Sequence, residues 1–176
     1  MSDKIVRVEV ARRSVIMVRH ITVDPNEAIH GSVRSLFCTA GLTPEMWNGG
    51  KSERTRLAEL GVTSEAKVDI PLFFPQEEFS TNGARIALFK EGLGYGLPYC
   101  LTPLMESAEV RKALLEKGIW WVAALGPENE KLLLSENNSH PVCVGLRDTH
   151  FGFFLGFAER RWLDRTAAVG SPQLSY

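Results

Sequence analysis

No stretch of this sequence is apolar for long. The longest such runs, Ile119–Leu125 and Phe151–Ala158, fall far short of the ~20 residues that span a bilayer. Neither sign of charge is in excess: 20 lysines and arginines face 21 aspartates and glutamates, a net charge of −1. A dedicated nucleic-acid binder carries a basic surplus and a nucleic-acid mimic a large acidic one, so the balance favours neither. Cysteine is scarce, and Cys38, Cys100 and Cys143 are odd in number and widely spaced. They read as reduced thiols of a cytoplasmic protein and not as a disulfide framework. The start, MSDKIVRVEV, lacks an uninterrupted apolar core and a small-residue cleavage site. It is expected to open a strand and not to be a signal peptide.

What is present is ordinary globular material. The chain has 176 residues, 44% hydrophobic and 23% charged, enough for one domain that buries roughly 70% of its unfolded surface. Lys4–Ala11 and Ser14–Val23 are β-branched runs across a short polar break and predict a hairpin. Its exposed face would carry Arg7, Glu9, Arg12, Arg13, Arg19 and His20. Asp24-Pro25-Asn26-Glu27 is a helix start, with a cap, a proline at the first helical position and a capping-box glutamate. That helix should run to Gly41, followed by short helices through Trp47 and over Ser52–Leu60.

Farther on, Lys67–Phe74 reads as a strand that Pro71 confines to a sheet edge or breaks. Residues 75–83 read as loop and as the place for a sub-boundary. Ala84–Lys90 is expected as a strand, Met105–Lys117 as a helix stopped by Gly118, and Ile119–Leu125 as a buried strand. Val142–Arg147 and His150–Phe157 predict a hairpin across Asp148–Thr149, with Ala158–Asp164 leaving the sheet as a short helix. The expected fold class is therefore α+β: a single domain over 1–166 with a mixed, mainly antiparallel sheet and helices packed mostly on one face. Residues 167–176 would be a C-terminal tail.

The stretch EGLGYGLPYC, residues 91–100, invites a phosphate-loop reading. A dinucleotide loop needs G-x-G-x-x-G running straight into a helix. Here the glycines alternate and Pro98 and Pro103 delay the helix, so the loop reads as a connection needing positive φ at one or two glycines. Its last residue is of more interest. Cys100 would precede a helix start with Thr102 as cap, where a thiol pKa falls, and His150 opens the strand HFGFFLG. This pairing resembles the cysteine peptidases that act on cell-wall peptides, in which a cysteine at a helix N-terminus works with a strand-borne histidine. The resemblance implies a cysteine-dependent hydrolase or transferase with Cys100 and His150 as catalytic residues.

Other constellations are thinner. His140-x-x-Cys143 with His150 has metal-ligand spacing, but structural zinc takes four ligands and there is no second pair; no metal and no cofactor is expected. Residues 33–47, VRSLFCTAGLTPEMW, have helix-turn-helix spacing, which would make the protein a DNA-binding regulator, but a recognition helix should not lead with Glu45. Arg160-Arg161-Trp162 and the hairpin-tip pair Arg12-Arg13 combine the residue types enriched at binding hot spots. With no carboxylate pair at close spacing and no Gly-x-Ser-x-Gly elbow, the leading expectation is a non-enzymatic protein. It would bind a macromolecular partner, another protein, in an accessory, inhibitor or immunity-type role.

Overall fold

The computed structural model describes residues 5–26, 53–75, 79–94, 96, 98–125, 142–155, 161–162 and 165–176. They form an α+β fold on a mixed sheet of mostly antiparallel strands. Strands β1 (Arg7–Arg12) and β2 (Val15–Val23) make the expected hairpin, turning at Ser14 with φ 62°. Helix α1 (Glu53–Glu59) leads into β3 (Ala66–Phe73), and the short β4 (Phe79–Ser80) into α2 (Thr81–Lys90). A single 3-10 turn (Pro98–Cys100), α3 (Leu101–Glu106), α4 (Ala108–Glu116) and β5 (Trp121–Ala124) follow. The remaining strands are β6 (Val142–Leu146), β7 (Phe151–Leu155), β8 (Arg161–Trp162), β9 (Thr166–Val169) and β10 (Gln173–Leu174).

Across the sheet the order is β1-β2-β3-β9-β5-β6-β7, with β10 also paired to β3 and a separate two-stranded β4-β8 sheet. Only β5 and β9 run parallel among the described pairs. Side chains alternate between two cores, as the period of a strand requires. Ile70, Leu72, Val122, Val144 and Val169 face α1, α3 and α4, which contribute Leu57, Leu104, Met105 and Leu114. On the other face Val15, Phe73, Ala123, Cys143 and Ala168 meet Ala84 and Leu88 of α2. Among the described residues, three helices thus lie on one face and one on the other.

Several expectations are corrected. Ala84–Lys90 is helical, not a strand, so residues 84–125 form no strand-helix-strand unit. Ser80 caps the helix by accepting from the Gly83 amide at 3.0 Å, and Ala84 and Leu88 bury one turn apart. Its end is a Schellman motif: Gly92 takes φ 69°, its amide donates to the Phe89 carbonyl and that of Leu93 to the Leu88 carbonyl. Gly61 and Gly118, both at positive φ, stop α1 and α4 in the same way.

The helix expected over Met105–Lys117 begins earlier, at Leu101, and is broken at Ser107. That residue turns extended and caps α4 through the Val110 amide at 3.3 Å. Buried Arg111 ties the joint by donating to the carbonyls of Met105 and Glu106, and lies 5.7 Å over the Phe151 ring. Residues 161–162 are strand, where a short helix was expected. The segment 167–176, expected as a C-terminal tail, supplies sheet strands: β9 sits between β3 and β5 with Ala167, Ala168 and Val169 fully buried.

Pro71 is not at an edge either, since β3 has neighbours on both sides. Its carbonyl accepts from the Gly170 amide at 2.8 Å. In an antiparallel ladder a residue's N–H and C=O point to the same neighbour. The missing donor therefore faces the interruption between β9 and β10, where no regular ladder bond is required. The first helix expected after Asp24 lies outside the described residues, although Asp24 does accept from the Asn26 amide at 2.9 Å.

Candidate functional site

Helix α2 links two groups that are far apart in sequence. At its C-terminal end, Arg12 of the β1-β2 hairpin donates to the Glu91 carbonyl at 2.6 Å and pairs with the Glu91 carboxylate at 3.1 Å. A cation there completes orphan carbonyls and complements the helix dipole. Arg13 follows at the turn, exposed. At the N-terminal end, β8 pairs with β4, placing Trp162 opposite Phe79 and Arg161 opposite Ser80, the residue that caps α2. Ten residues separate the helix ends, about 15 Å at 1.5 Å per residue.

Between those ends α2 turns Ile86 and Phe89 outward, 51% and 71% exposed, with Lys90 beside them. They stand three residues apart, one turn along the same helix face. Ala84 and Leu88 hold the opposite face to the sheet. A strand over 84–90 would have sent Ile86 and Phe89 to opposite faces, so the helical period alone makes the apolar pair contiguous. Sequence reasoning missed both residues. The usable signal lay outside the run, in Ser80 before it and Gly92 after it.

A second polar cluster lies on the part of this sheet face beyond α2. Asp69 of β3 accepts from Arg19 Nη1 at 2.8 Å, from the His20 amide at 3.1 Å and from the Ser175 hydroxyl. His20 takes φ 62° at the irregularity between Val18 and Ile21, and this turns its amide toward the carboxylate. Arg19 also pairs with Glu9, which Arg7 approaches at 3.5 Å. Burial pushes the Asp69 carboxyl up, but the bonds from Ser175, the His20 amide and Arg19 outweigh it and hold it below the usual range. The hydrogen bond from Arg19 lowers Glu9, and that bond raises Arg19 in turn.

Serine, histidine and aspartate thus meet here, yet Ser175 donates to Asp69 and not to the imidazole. Nucleophilic catalysis needs the base against the nucleophile and the acid behind the base. The cluster is a clasp that ties β2, β3 and the C-terminal strand.

The thiol candidates are placed as follows. Cys100 precedes α3 as its N-cap residue, without a side-chain capping bond, and is completely buried in the larger core. His150 is exposed in the β6-β7 turn, with Nδ1 3.1 Å from Thr149 Oγ1. Thr102 lies inside α3 and is not its cap. Cys143 is buried in the smaller core. Among the described residues no group of three or more histidine, cysteine, aspartate or glutamate side chains could hold a metal. His140, Cys38, Arg160 and the 33–47 segment lie outside the described residues, as does the side-chain placement of Arg161 and Trp162.

The glycine loop behaves as a connection. Gly92 and Gly94 adopt positive φ, and Gly96 donates to the Val169 carbonyl at 2.9 Å. Trp120 precedes β5 and is 39% exposed beneath Arg165, whose guanidinium is 3.8 Å from the ring centroid, while Trp121 is half-buried. No described helix is long and apolar enough to cross a membrane. Comparison with protein-family models, with curated proteins and with solved structures finds no match.

Proposed function

We propose that the protein works without catalysis by binding another protein, in an accessory, inhibitor or immunity-type role in the cytoplasm, and that the outer face of α2 is its docking surface. The observation that carries the reading is the exposed Ile86–Phe89 pair, with Arg12 and Arg13 at the C-terminal end of the helix and the backbone of β8 paired to β4 at its start. An apolar centre with a charged rim is the anatomy of a protein interface. The rim calls for a partner with an apolar cleft bordered by carboxylates.

Affinity capture compares the wild type with Ile86→Ser/Phe89→Ser and with Arg12→Ala/Arg13→Ala. The expected result is one partner lost from the first variant at any salt concentration and weakened in the second. Rim charges mainly govern association rate and salt dependence, so added salt should weaken wild-type capture as the second variant does. Equal capture by all three proteins, each folded, would overturn the proposal.

A further inference from the structure

Strand β1 ends the sheet among the described residues, and its free edge has a hydrogen-bonding phase that the ladders determine. Pro71 presents its carbonyl to Gly170, on the β9 side of β3. Met17, opposite Pro71, therefore directs its amide and carbonyl away from β3 and toward β1. Glu9 is opposite Met17 and Arg7 is opposite Arg19, so both turn their backbone groups inward to β2. Val6, Val8 and Val10 then point theirs outward, off the sheet.

We infer that this edge pairs with the β1 edge of a second copy of the chain, antiparallel and centred on Val8, to make a two-fold dimer with one continuous sheet. In this register Val8 meets Val8 of the second copy and Val6 meets Val10, each pair exchanging two hydrogen bonds through outward-facing groups. Side chains agree with the backbone. Val6 and Val8 pack on the larger core while Val10 is 65% exposed; pairing covers Val10 with Val6 of the other chain.

On the opposite face Arg7 falls directly across from Glu9 of the second copy, and Glu9 from its Arg7. Arg7 has need of that carboxylate, because its own neighbour across β2 is Arg19 and Glu9 serves both arginines. A shift of one strand residue each way that keeps the outward phase sets Arg7 against Arg7 or Glu9 against Glu9. Like charges directly opposite are destabilising, so charge selects the Val8-centred register. The interface is isologous, as a closed two-fold requires, and the dyad runs perpendicular to the sheet. Both copies of α2 consequently lie on one side of the dimer.

The test is sedimentation of the full chain and of charge-exchanged variants. Wild type is expected at twice the mass of one chain. Arg7→Glu alone and Glu9→Arg alone are each expected as monomers. Their equimolar mixture is expected as a heterodimer, because two carboxylates at positions 7 and 9 of one chain then face two guanidinium groups of the other. Val10→Pro removes an outward donor without touching the β1-β2 ladder, and is expected to be monomeric with an unchanged circular dichroism spectrum. A monomeric wild type at every concentration overturns the inference. So does a folded Arg7→Glu protein that dimerises as wild type does, or a folded Val10→Pro protein that stays dimeric.

Discussion

The two faces of the central sheet are built to different ends. Three of the described helices cover one face, and its apolar core runs from Ile16 and Ile70 through Leu104, Met105 and Leu114 to Val144. On the other face α2 shares a smaller core with residues of β2, β3, β5, β6 and β9, and the hairpin end carries the Glu9–Arg19–Asp69–Ser175 clasp. α2 itself spends only one stripe on the sheet and leaves Ile86 and Phe89 in solvent. A residue can be apolar for stability or for recognition, and its partners within the fold distinguish the two. Leu88 and Phe89 are adjacent in sequence, yet one is buried in the same core as Ala123 and Ala168 and the other faces outward.

That contrast predicts a ranking of substitutions. Leu104→Ala, in the closed face, should cost about 2–5 kcal/mol, the range for an emptied leucine site in a packed core. Urea denaturation would register this as a lower midpoint with an unchanged slope. Gly96→Ala should cost about 1–3 kcal/mol by overpacking. Its Cβ would fall 2.7 Å from Val169 Cβ and 2.8 Å from the Val169 carbonyl oxygen, in backbone that has a ladder to keep. A thermal scan showing no loss would mean that β9 can move aside, and that the middle of the sheet is less fixed than its burial indicates.

Asp69→Asn should cost about 1–2 kcal/mol near neutral pH, the value of charge-assisted hydrogen bonds discounted for partial solvent access at Arg19. The sign of its pH dependence follows from the lowered carboxyl. With the folded pKa below the unfolded value of about 3.9, the clasp stabilises above that unfolded value. Its contribution disappears as pH falls through the folded pKa. Stability curves of wild type and variant should therefore converge in acid and separate as pH rises past about 4. Parallel curves across that window would remove the charge from the account. Smallest of all, Phe89→Ser should change stability by no more than about 0.5 kcal/mol, as surface substitutions do, while abolishing partner capture.

Part of this organisation was legible in sequence. The β6-β7 hairpin was readable from alternation around Asp148–Thr149, the β1-β2 hairpin from its β-branched runs, and α1 and the end of α4 from the glycines that stop them. The run ARIALFK was not, because its apolar residues fit either period and the deciding caps lie at Ser80 and Gly92, outside it. β9 was missed for another reason. Two of its four residues, Ala167 and Ala168, are poor strand formers, and it becomes a strand because small side chains fit between β3 and β5 with a core on each face. At the site, Arg12 and Arg13 were readable as an exposed basic tip. Their link to Arg161 and Trp162 was not, since it depends on α2 being a helix with β8 at its start.

On the proposed function, the outward stripe of α2 recognises a partner while the closed face does not. The most direct test is a photo-crosslinking residue installed at Phe89, compared with one at the exposed Glu116 of α4. A single crosslinked protein is expected from position 89, displaced by excess wild type and not by Ile86→Ser/Phe89→Ser, with none from position 116. Equal crosslinking at the two positions, or none at 89, would contradict it.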